Sequence, residues 1–160
     1  MMKQKHKILF VCLGNICRSP TAHGVFDAYI RRLNLQKELE IDSAGTSAHH
    51  QGQLPDDRSR KHASLRGYQL DSKSRQIKLS DLEFFDEIFV MDDENLKNVM
   101  ALDHEKKFIK KVKKLTDLIP QSPIDRVPDP YYSGDQGFEM VLDIIEEAAE
   151  IFFSQWEKKR

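Results

Sequence analysis

Apolar positions along the chain fall into short runs and helical stripes that alternate. Ile8-Leu9-Phe10-Val11 is wholly apolar and β-favouring, the pattern of a strand buried on both faces, and it predicts a first strand ending at Cys12. Ala22, Val25, Phe26, Tyr29, Ile30 and Leu33 then recur at helical spacing. Ser19 reads as the N-cap of that helix and Pro20 as its first residue, which leaves an eight-residue loop, 12–19, between strand and helix. Leu39-Glu40-Ile41-Asp42-Ser43 alternates and ends at Ala44-Gly45, a second strand. Residues 46–57 are polar loop, and 57–65 form a short helix closed by Gly67.

Ser80-Asp81-Leu82-Glu83 carries a capping-box pattern and starts a brief helix. Glu87-Ile88-Phe89-Val90-Met91 is a third strand, followed by a helix over 93–102. Residues 106–115 fit either a helix or an edge strand, and their lysines suit a solvent-facing edge. Four prolines between 120 and 130 make residues 120–135 a loop. Phe138, Val141, Leu142, Ile145, Ala148, Ala149, Phe152 and Trp156 then form one apolar stripe opposite Glu and Lys, a long final helix. Strands alternating with helices imply parallel βαβ units with right-handed crossovers. The expected fold is a three-layer α/β/α domain over residues 1–160 with a central four-stranded parallel sheet. Ligands in such folds sit beyond the carboxyl ends of the strands, where the Cys12 loop emerges.

Composition narrows the function classes. The chain has 160 residues, 39% hydrophobic and 32% charged, which fits one globular domain and excludes a mostly disordered chain. A formal net charge of −1 argues against nucleic acid as a partner, because phosphate-backbone affinity needs a basic excess. Two cysteines five positions apart cannot build a disulfide framework. No apolar run approaches a membrane span of roughly 18–20 residues, and the four-residue run after the basic N-terminus is too short for a signal-peptide core. These features predict a reduced, cytoplasmic protein without a membrane partner. Lys106, Lys107, Lys110, Lys111, Lys113 and Lys114 read as a solvated face, and Lys158-Lys159-Arg160 as a complement to the last helix dipole.

The chemistry concentrates in Cys12-Leu13-Gly14-Asn15-Ile16-Cys17-Arg18-Ser19-Pro20, a Cys-x5-Arg-Ser run between strand and helix. If this loop curls around a tetrahedral anion, the N–H groups of residues 13–18 point inward as a nest, aided by the positive helix N-terminus. Gly14 and Asn15 are the residues best suited to the left-handed conformations of such a curl. Arg18 then lays its planar fork on two phosphate oxygens while the Cys12 sulfur sits beneath phosphorus. Helix N-termini and positive neighbours favour a thiolate, and Ser19 Oγ can donate to that sulfur, so Cys12 becomes a nucleophile without an adjacent base. Asp129, held between Pro128 and Pro130, is a carboxyl with restricted aim that can serve as the acid for the leaving oxygen. Tyr131 and Tyr132 can wall a slot for an aromatic group.

Together with Asp42-Ser43-Ala44-Gly45-Thr46, Met91-Asp92 and Asp129-Pro130-Tyr131-Tyr132, the Cys12 loop resembles the low-molecular-weight protein tyrosine phosphatases, in the same order and over nearly the whole chain. The resemblance implies hydrolysis of phosphotyrosine and small aryl phosphates in two steps through a phosphocysteine on Cys12. In it Arg18 and the loop of Leu13, Gly14, Asn15, Ile16, Cys17 and Ser19 hold the phosphate, Asp129 acts as acid and then base, and Asn15 with Ser43 supports the loop. It implies no metal or other cofactor, phosphotyrosine-containing proteins as partners (a tyrosine kinase among them), and a monomer or weak dimer. Cys17 resembles the family's second loop cysteine, which pairs with the nucleophile under oxidation. Tyr131 and Tyr132 match positions that relatives use as substrate walls or phosphorylation targets.

Two positions depart from the family pattern. Relatives carry Trp or Tyr where this chain has Ala48-His49-His50, so His49 is the expected wall residue and stacks less strongly. His23 stands where relatives commonly have Glu and is expected on the helix surface. Competing readings are weaker. Arsenate reduction on this fold needs a resolving pair of cysteines beyond the nucleophile, and none follows Cys17. Phosphoarginine hydrolysis is associated with a Thr-like residue at position 16, where this chain has apolar Ile16. A non-catalytic phosphate binder would not need Cys12, Arg18 and Asp129 together. Zinc held by Cys12, Cys17, His6 and His23 lacks the short paired spacing of structural sites.

Overall fold

The computed structural model describes residues 4–159, so Arg160 of the basic C-terminal run lies outside the described residues. Four parallel strands, β1 (His6–Cys12), β2 (Leu39–Gly45), β3 (Glu87–Val90) and β4 (Val112–Lys114), form one sheet in the order β2-β1-β3-β4. Between them run α1 (Arg18–Arg32), α2 (Asp57–Leu65), α3 (Leu79–Phe84) and α4 (Asp93–Met100), and α5 (Gly134–Lys159) closes the chain. This is the expected three-layer arrangement with a four-stranded parallel sheet.

The unbroken apolar run of β1 has its cause in the layering. Side chains of a strand alternate between faces, so Ile8, Phe10 and Cys12 join the core beneath α1 and α5, while Leu9 and Val11 join the core beneath α3 and α4. β3 divides likewise, with Phe89 and Met91 on the first side and Ile88 and Val90 on the second. Phe26 of α1 sits 4.6 Å from Phe10, 5.5 Å from Phe152 and 5.4 Å from Phe153, ring centre to ring centre, and ties α1, α5 and the sheet together. Phe26 is fully buried, so Phe26→Ala is expected to cost about 3–5 kcal/mol of stability, read as a lowered denaturant midpoint.

Several element ends differ from expectation, each for a local reason. Helix α1 begins at Arg18 with Cys17 as N-cap, and Ser19 caps nothing. The Ser19 hydroxyl is occupied within the loop, and Pro20 falls in the first turn, where no intrahelical N–H is required. The loop is therefore five residues, 13–17, rather than eight. Helix α3 is capped at Lys78, whose N–H donates to Asp81 Oδ2 at 2.8 Å, two residues before the expected start at Ser80. Residues 106–115 resolve into a 3₁₀ turn (Ile109–Lys111) and the edge strand β4. Its lysines are not simply solvated: Lys113 Nζ pairs with Glu87 at 3.1 Å, Lys111 Nζ donates to the carbonyls of Leu82 and Glu83, and Lys114 Nζ donates to the Asp125 carbonyl. The α5 stripe is wider than one row, since Ile144 and Phe153 are buried as well, while Trp156 is partly buried and donates to Glu38 Oε1 at 3.1 Å.

Because all four strands run the same way, their carboxyl ends share one edge of the sheet. The 13–17 loop follows β1, the 46–56 segment follows β2, Met91 and Asp92 follow β3, and the proline-rich 119–133 segment follows β4 through a short 3₁₀ turn (Leu115–Leu118). Residues distant in the chain meet there.

Candidate active site

The loop after β1 is held open by its carbonyls. Cys12 O and Leu13 O accept from the N–H groups of Thr46 and Ser47, both at 2.9 Å, and Ile16 O accepts from Asp56 N at 2.8 Å. Gly14 O accepts from Ser74 Oγ at 2.9 Å, and Cys17 O accepts from Thr21 Oγ1 at 2.6 Å. With these carbonyls turned out to the scaffold, the peptide N–H groups between them face the concave side. One of them, Asn15 N–H, points at Cys12 Sγ at 3.3 Å. The curl is thus an amide-lined cup at a helix N-terminus, the arrangement that favours anions.

Asn15 is the residue that permits the curl. It alone in the loop takes the left-handed region, with φ 56°. The Asn side chain lowers the strain of that conformation through local hydrogen bonds. Its Nδ2 donates to Ser19 Oγ at 2.7 Å and to Ser43 Oγ at 3.1 Å, and its Oδ1 accepts from Arg75 N at 3.1 Å. Gly14 does not use a positive φ. Its missing Cβ instead leaves room for the His50 ring, which would stand 3.0 Å from that atom. Gly45 of β2 is required by close approach, since a Cβ there would lie 2.7 Å from Leu13 O.

Cys12 and Arg18 are each 3% exposed and line a cleft of about 430 Å³. Cys12 Sγ lies 3.1 Å from Ser19 Oγ. Arg18 Nη1 donates to Asp92 Oδ2 at 2.6 Å and to the carbonyl of Val127 at 3.1 Å, which sets the plane of its fork. Burial works against the Arg18 charge, but the Cys12 sulfur, Asp92 and Asp129 outweigh it and hold the guanidinium above its ordinary value. Asp129 Oδ2 stands 3.9 Å from Arg18 Nη2, and its Oδ1 accepts from Tyr131 N at 3.1 Å. The carboxyl is therefore at the cleft mouth and aimed by the turn that follows it. Its side chain is 47% exposed.

The rim is aromatic on both sides. Tyr131 and Tyr132 stand edge to face at 4.9 Å, and His49 and His50 do the same at 4.8 Å, all four lining the cleft. Tyr132 is 94% exposed and Tyr131 37%, so Tyr131 is the closer wall. Cys17 is buried, and burial pushes its thiol up to about 12, so it keeps its proton at neutral pH. His6 lies at the opposite end of β1, where it pairs with Glu87 at 2.7 Å, away from Cys12, Cys17 and His23. Among the described residues no group of three or more His, Cys, Asp or Glu side chains is placed to hold a metal ion.

Each sequence-predicted residue therefore reaches the same cleft or its supporting shell. Two contributors, Arg75 and Arg58, were not singled out by sequence, and two that were named there, Asp92 and His23, make contacts the sequence did not indicate. Asp92 serves twice: Oδ1 caps α4 by accepting from Asn95 N at 2.8 Å, and Oδ2 takes Arg18. Its signal was an Asp directly between a strand and a helix. Arg75 fixes the amide orientation of Asn15 through its backbone. His23, expected on the helix surface, is part-buried there, with Nδ1 3.3 Å from Ser43 Oγ. Arg58 has no sequence signal at all, because its partners come from the far loop. It is aligned by Asp56, donates Nη1 to the carbonyl of Tyr131 at 2.9 Å, and lies over the rings of Tyr131 and Phe138 at 5.1 and 4.8 Å. Arg58→Ala is expected to raise KM for aryl phosphates about two- to tenfold with kcat within twofold, the worth of a part-exposed cation–π contact, measured by steady-state kinetics.

Comparison with known proteins agrees with this geometry over the length of the chain. Residues 7–160 match the family model described as low molecular weight phosphotyrosine protein phosphatase. A protein tyrosine phosphatase from Entamoeba histolytica, crystallised with Hepes in the active site, superposes with a TM-score of 0.91 at 42% identity, covering 97% of this chain and 99% of its own. YfkJ from Bacillus subtilis superposes at 0.92 with 33% identity, over 99% and 98% of the two chains. A drosophila arginine phosphatase superposes at 0.86 with 31% identity, over 94% and 97%. The cup after β1 and the aspartate across from it thus sit in a fold shared along its whole length, and the chain belongs to the low molecular weight phosphotyrosine protein phosphatase family.

Proposed function

We propose that the protein hydrolyses phosphotyrosine and small aryl phosphates, with residues 1–160 acting as one phosphatase domain. The observation that carries the reading is the cup itself: Cys12 Sγ at its base and Arg18 at its wall, with the loop carbonyls turned away. The Cys12 thiolate attacks phosphorus in line. A sulfur–phosphorus bond forms as the bond to the phenolic oxygen breaks. Arg18 and the amides of residues 13–18 hold the equatorial oxygens, where charge spreads in the transition state. Asp129, at the mouth, gives its proton to the departing oxygen. It then takes a proton from the water that attacks the phosphocysteine, releasing inorganic phosphate and the thiolate. Ser19 steadies the thiolate, and Asn15 with Ser43 holds the loop curled. The positive field comes from Arg18 and the amides, so turnover is expected to need no metal or other cofactor.

The narrow apolar entrance favours a flat aryl ester. Ile16 offers no hydrogen bond to a guanidinium leaving group, and Tyr131 and His49 flank the path of a ring. Phosphoarginine is the second reading, favoured by the likeness to the drosophila arginine phosphatase. The proposed substrates are phosphotyrosine-containing proteins, a tyrosine kinase among them, met in the cytoplasm by a monomer or weak dimer. Among the described residues no helix is long and apolar enough to cross a membrane. Cys17, in the same loop, is the proposed trap for a Cys12 sulfenic acid formed by peroxide, releasing water as the disulfide forms. The deciding experiment compares turnover of phosphotyrosine, phosphoserine and phosphoarginine peptides, with Cys12→Ser as the blank. Phosphotyrosine is expected to lead, and a lead by phosphoarginine would overturn the aryl-ester reading.

A further inference from the structure

A chain of hydrogen bonds leads from the nucleophile to the inner face of α1. Cys12 Sγ is 3.1 Å from Ser19 Oγ, which takes a hydrogen from Asn15 Nδ2 at 2.7 Å. The other hydrogen of that amide goes to Ser43 Oγ at 3.1 Å, and Ser43 Oγ is 3.3 Å from His23 Nδ1. We propose that His23 is a positioning residue whose Nδ1 lone pair accepts the Ser43 hydroxyl hydrogen and so holds Ser43 Oγ where it takes the second hydrogen of the Asn15 amide, fixing the amide whose other hydrogen goes to Ser19 behind the Cys12 sulfur.

The donor count favours it. The Asn15 amide cannot be turned round, because its Oδ1 accepts Arg75 N–H. Both hydroxyls therefore receive a hydrogen from one NH₂ group, and each must send its own elsewhere. For Ser19 the two acceptors in range are Cys12 Sγ and, at 3.4 Å, the Ala44 carbonyl. For Ser43 it is His23 Nδ1, which must then be bare, with the ring neutral and its hydrogen on Nε2. A protonated His23 would donate to Ser43 Oγ instead and leave the Ser43 hydroxyl hydrogen without this acceptor. Ser19, Ser43 and Asn15 are all at most 1% exposed, so water does not substitute for a lost partner.

The surroundings keep the ring neutral. Burial lowers His23, and it prevails over the carboxylates that raise it: Asp42 on β2, Asp27 on α1 itself, and Asp71 on the segment between α2 and α3. Arg75 blunts the nearest of these by donating Nε and Nη2 to Asp42 Oδ2 at 3.2 and 3.1 Å.

The proposal rests on Cys12 as the nucleophile, so its test reads the sulfur and not only turnover. The rate of Cys12 alkylation by iodoacetamide is followed against pH, with the Cys12 peptide quantified by mass spectrometry. His23→Leu is expected to move the midpoint of that profile upward by about half a unit to one unit, which is about three- to tenfold less reactive sulfur at a fixed pH below it. His23→Asn, whose Oδ1 sits as many bonds from the backbone as Nδ1, is expected to restore the rate to within about twofold of the parent. Ser43→Ala alone is expected to reproduce the shift, and His23→Leu on top of it to add nothing. An unmoved midpoint in His23→Leu, or additive shifts in the double variant, would overturn the proposal. Long-range ¹H–¹⁵N spectra of the unmodified protein give a test free of any variant. They are expected to show bare Nδ1 and protonated Nε2 on His23 at neutral pH, and the opposite tautomer would overturn it too. A Cys12 whose alkylation responds as expected in a protein that hydrolyses no phosphoester would fault the catalytic reading while supporting the His23 assignment.

Discussion

Cys12→Ser is expected to lower turnover of phosphotyrosine by about four orders of magnitude or more while the protein still folds and still binds phosphate. The size of the loss follows from what the cup can and cannot do. Asn15 N–H at 3.3 Å and the Ser19 hydroxyl at 3.1 Å stabilise an anion on the sulfur. A serine hydroxyl is far too weak an acid for two hydrogen bonds to ionise it at neutral pH. The amides and Arg18 are untouched, so an oxyanion still finds its donors. Phosphotyrosyl peptide binding to the serine variant, measured by calorimetry, is expected to match the parent's KM within about tenfold. Residual turnover within a hundredfold of the parent would mean that another group attacks phosphorus.

Asp129→Asn is expected to slow phenyl phosphate by about 10²–10⁴-fold, the worth of a positioned general acid. The p-nitrophenyl ester should lose much less, because its phenolate leaves without a proton. The carboxyl is suited to this service by placement rather than burial. Its Oδ1 is tied to Tyr131 N–H, which leaves Oδ2 toward the cleft 3.9 Å from Arg18. Asparagine keeps the shape and removes the transferable proton, and a plot of kcat against leaving-group acidity should steepen. Equal losses across leaving groups would remove Asp129 from the proton transfer.

Much of the site was legible because its chemistry is local. Cys12, Asn15, Arg18 and Ser19 lie within one loop and the first turn of α1, so a short run of sequence contains both the nucleophile and its anion cradle. Element ends were less legible. Ser19 looks like a helix cap in sequence, yet its oxygen serves Cys12 and Asn15, and the helix starts two residues earlier. Gly14 and Asn15 both suit the left-handed conformation in sequence, and Asn15 alone takes it, with its side chain bridging Ser19, Ser43 and Arg75.

The apolar runs and helical stripes by themselves determined the layering: β1 reads as buried on both faces because, like β3, it is flanked by a strand on both edges and covered by helices on each side. The Cys-x5-Arg spacing by itself determined that sulfur and guanidinium share one cup. Only the tertiary structure decided that Asp92 aligns Arg18, that Arg58 carries the Tyr131 wall, and that His23 faces Ser43. Each of these joins residues separated by 20 to 74 positions. Their partnership depends on which strands lie side by side and where their ends meet, a property of sheet order that no local pattern encodes.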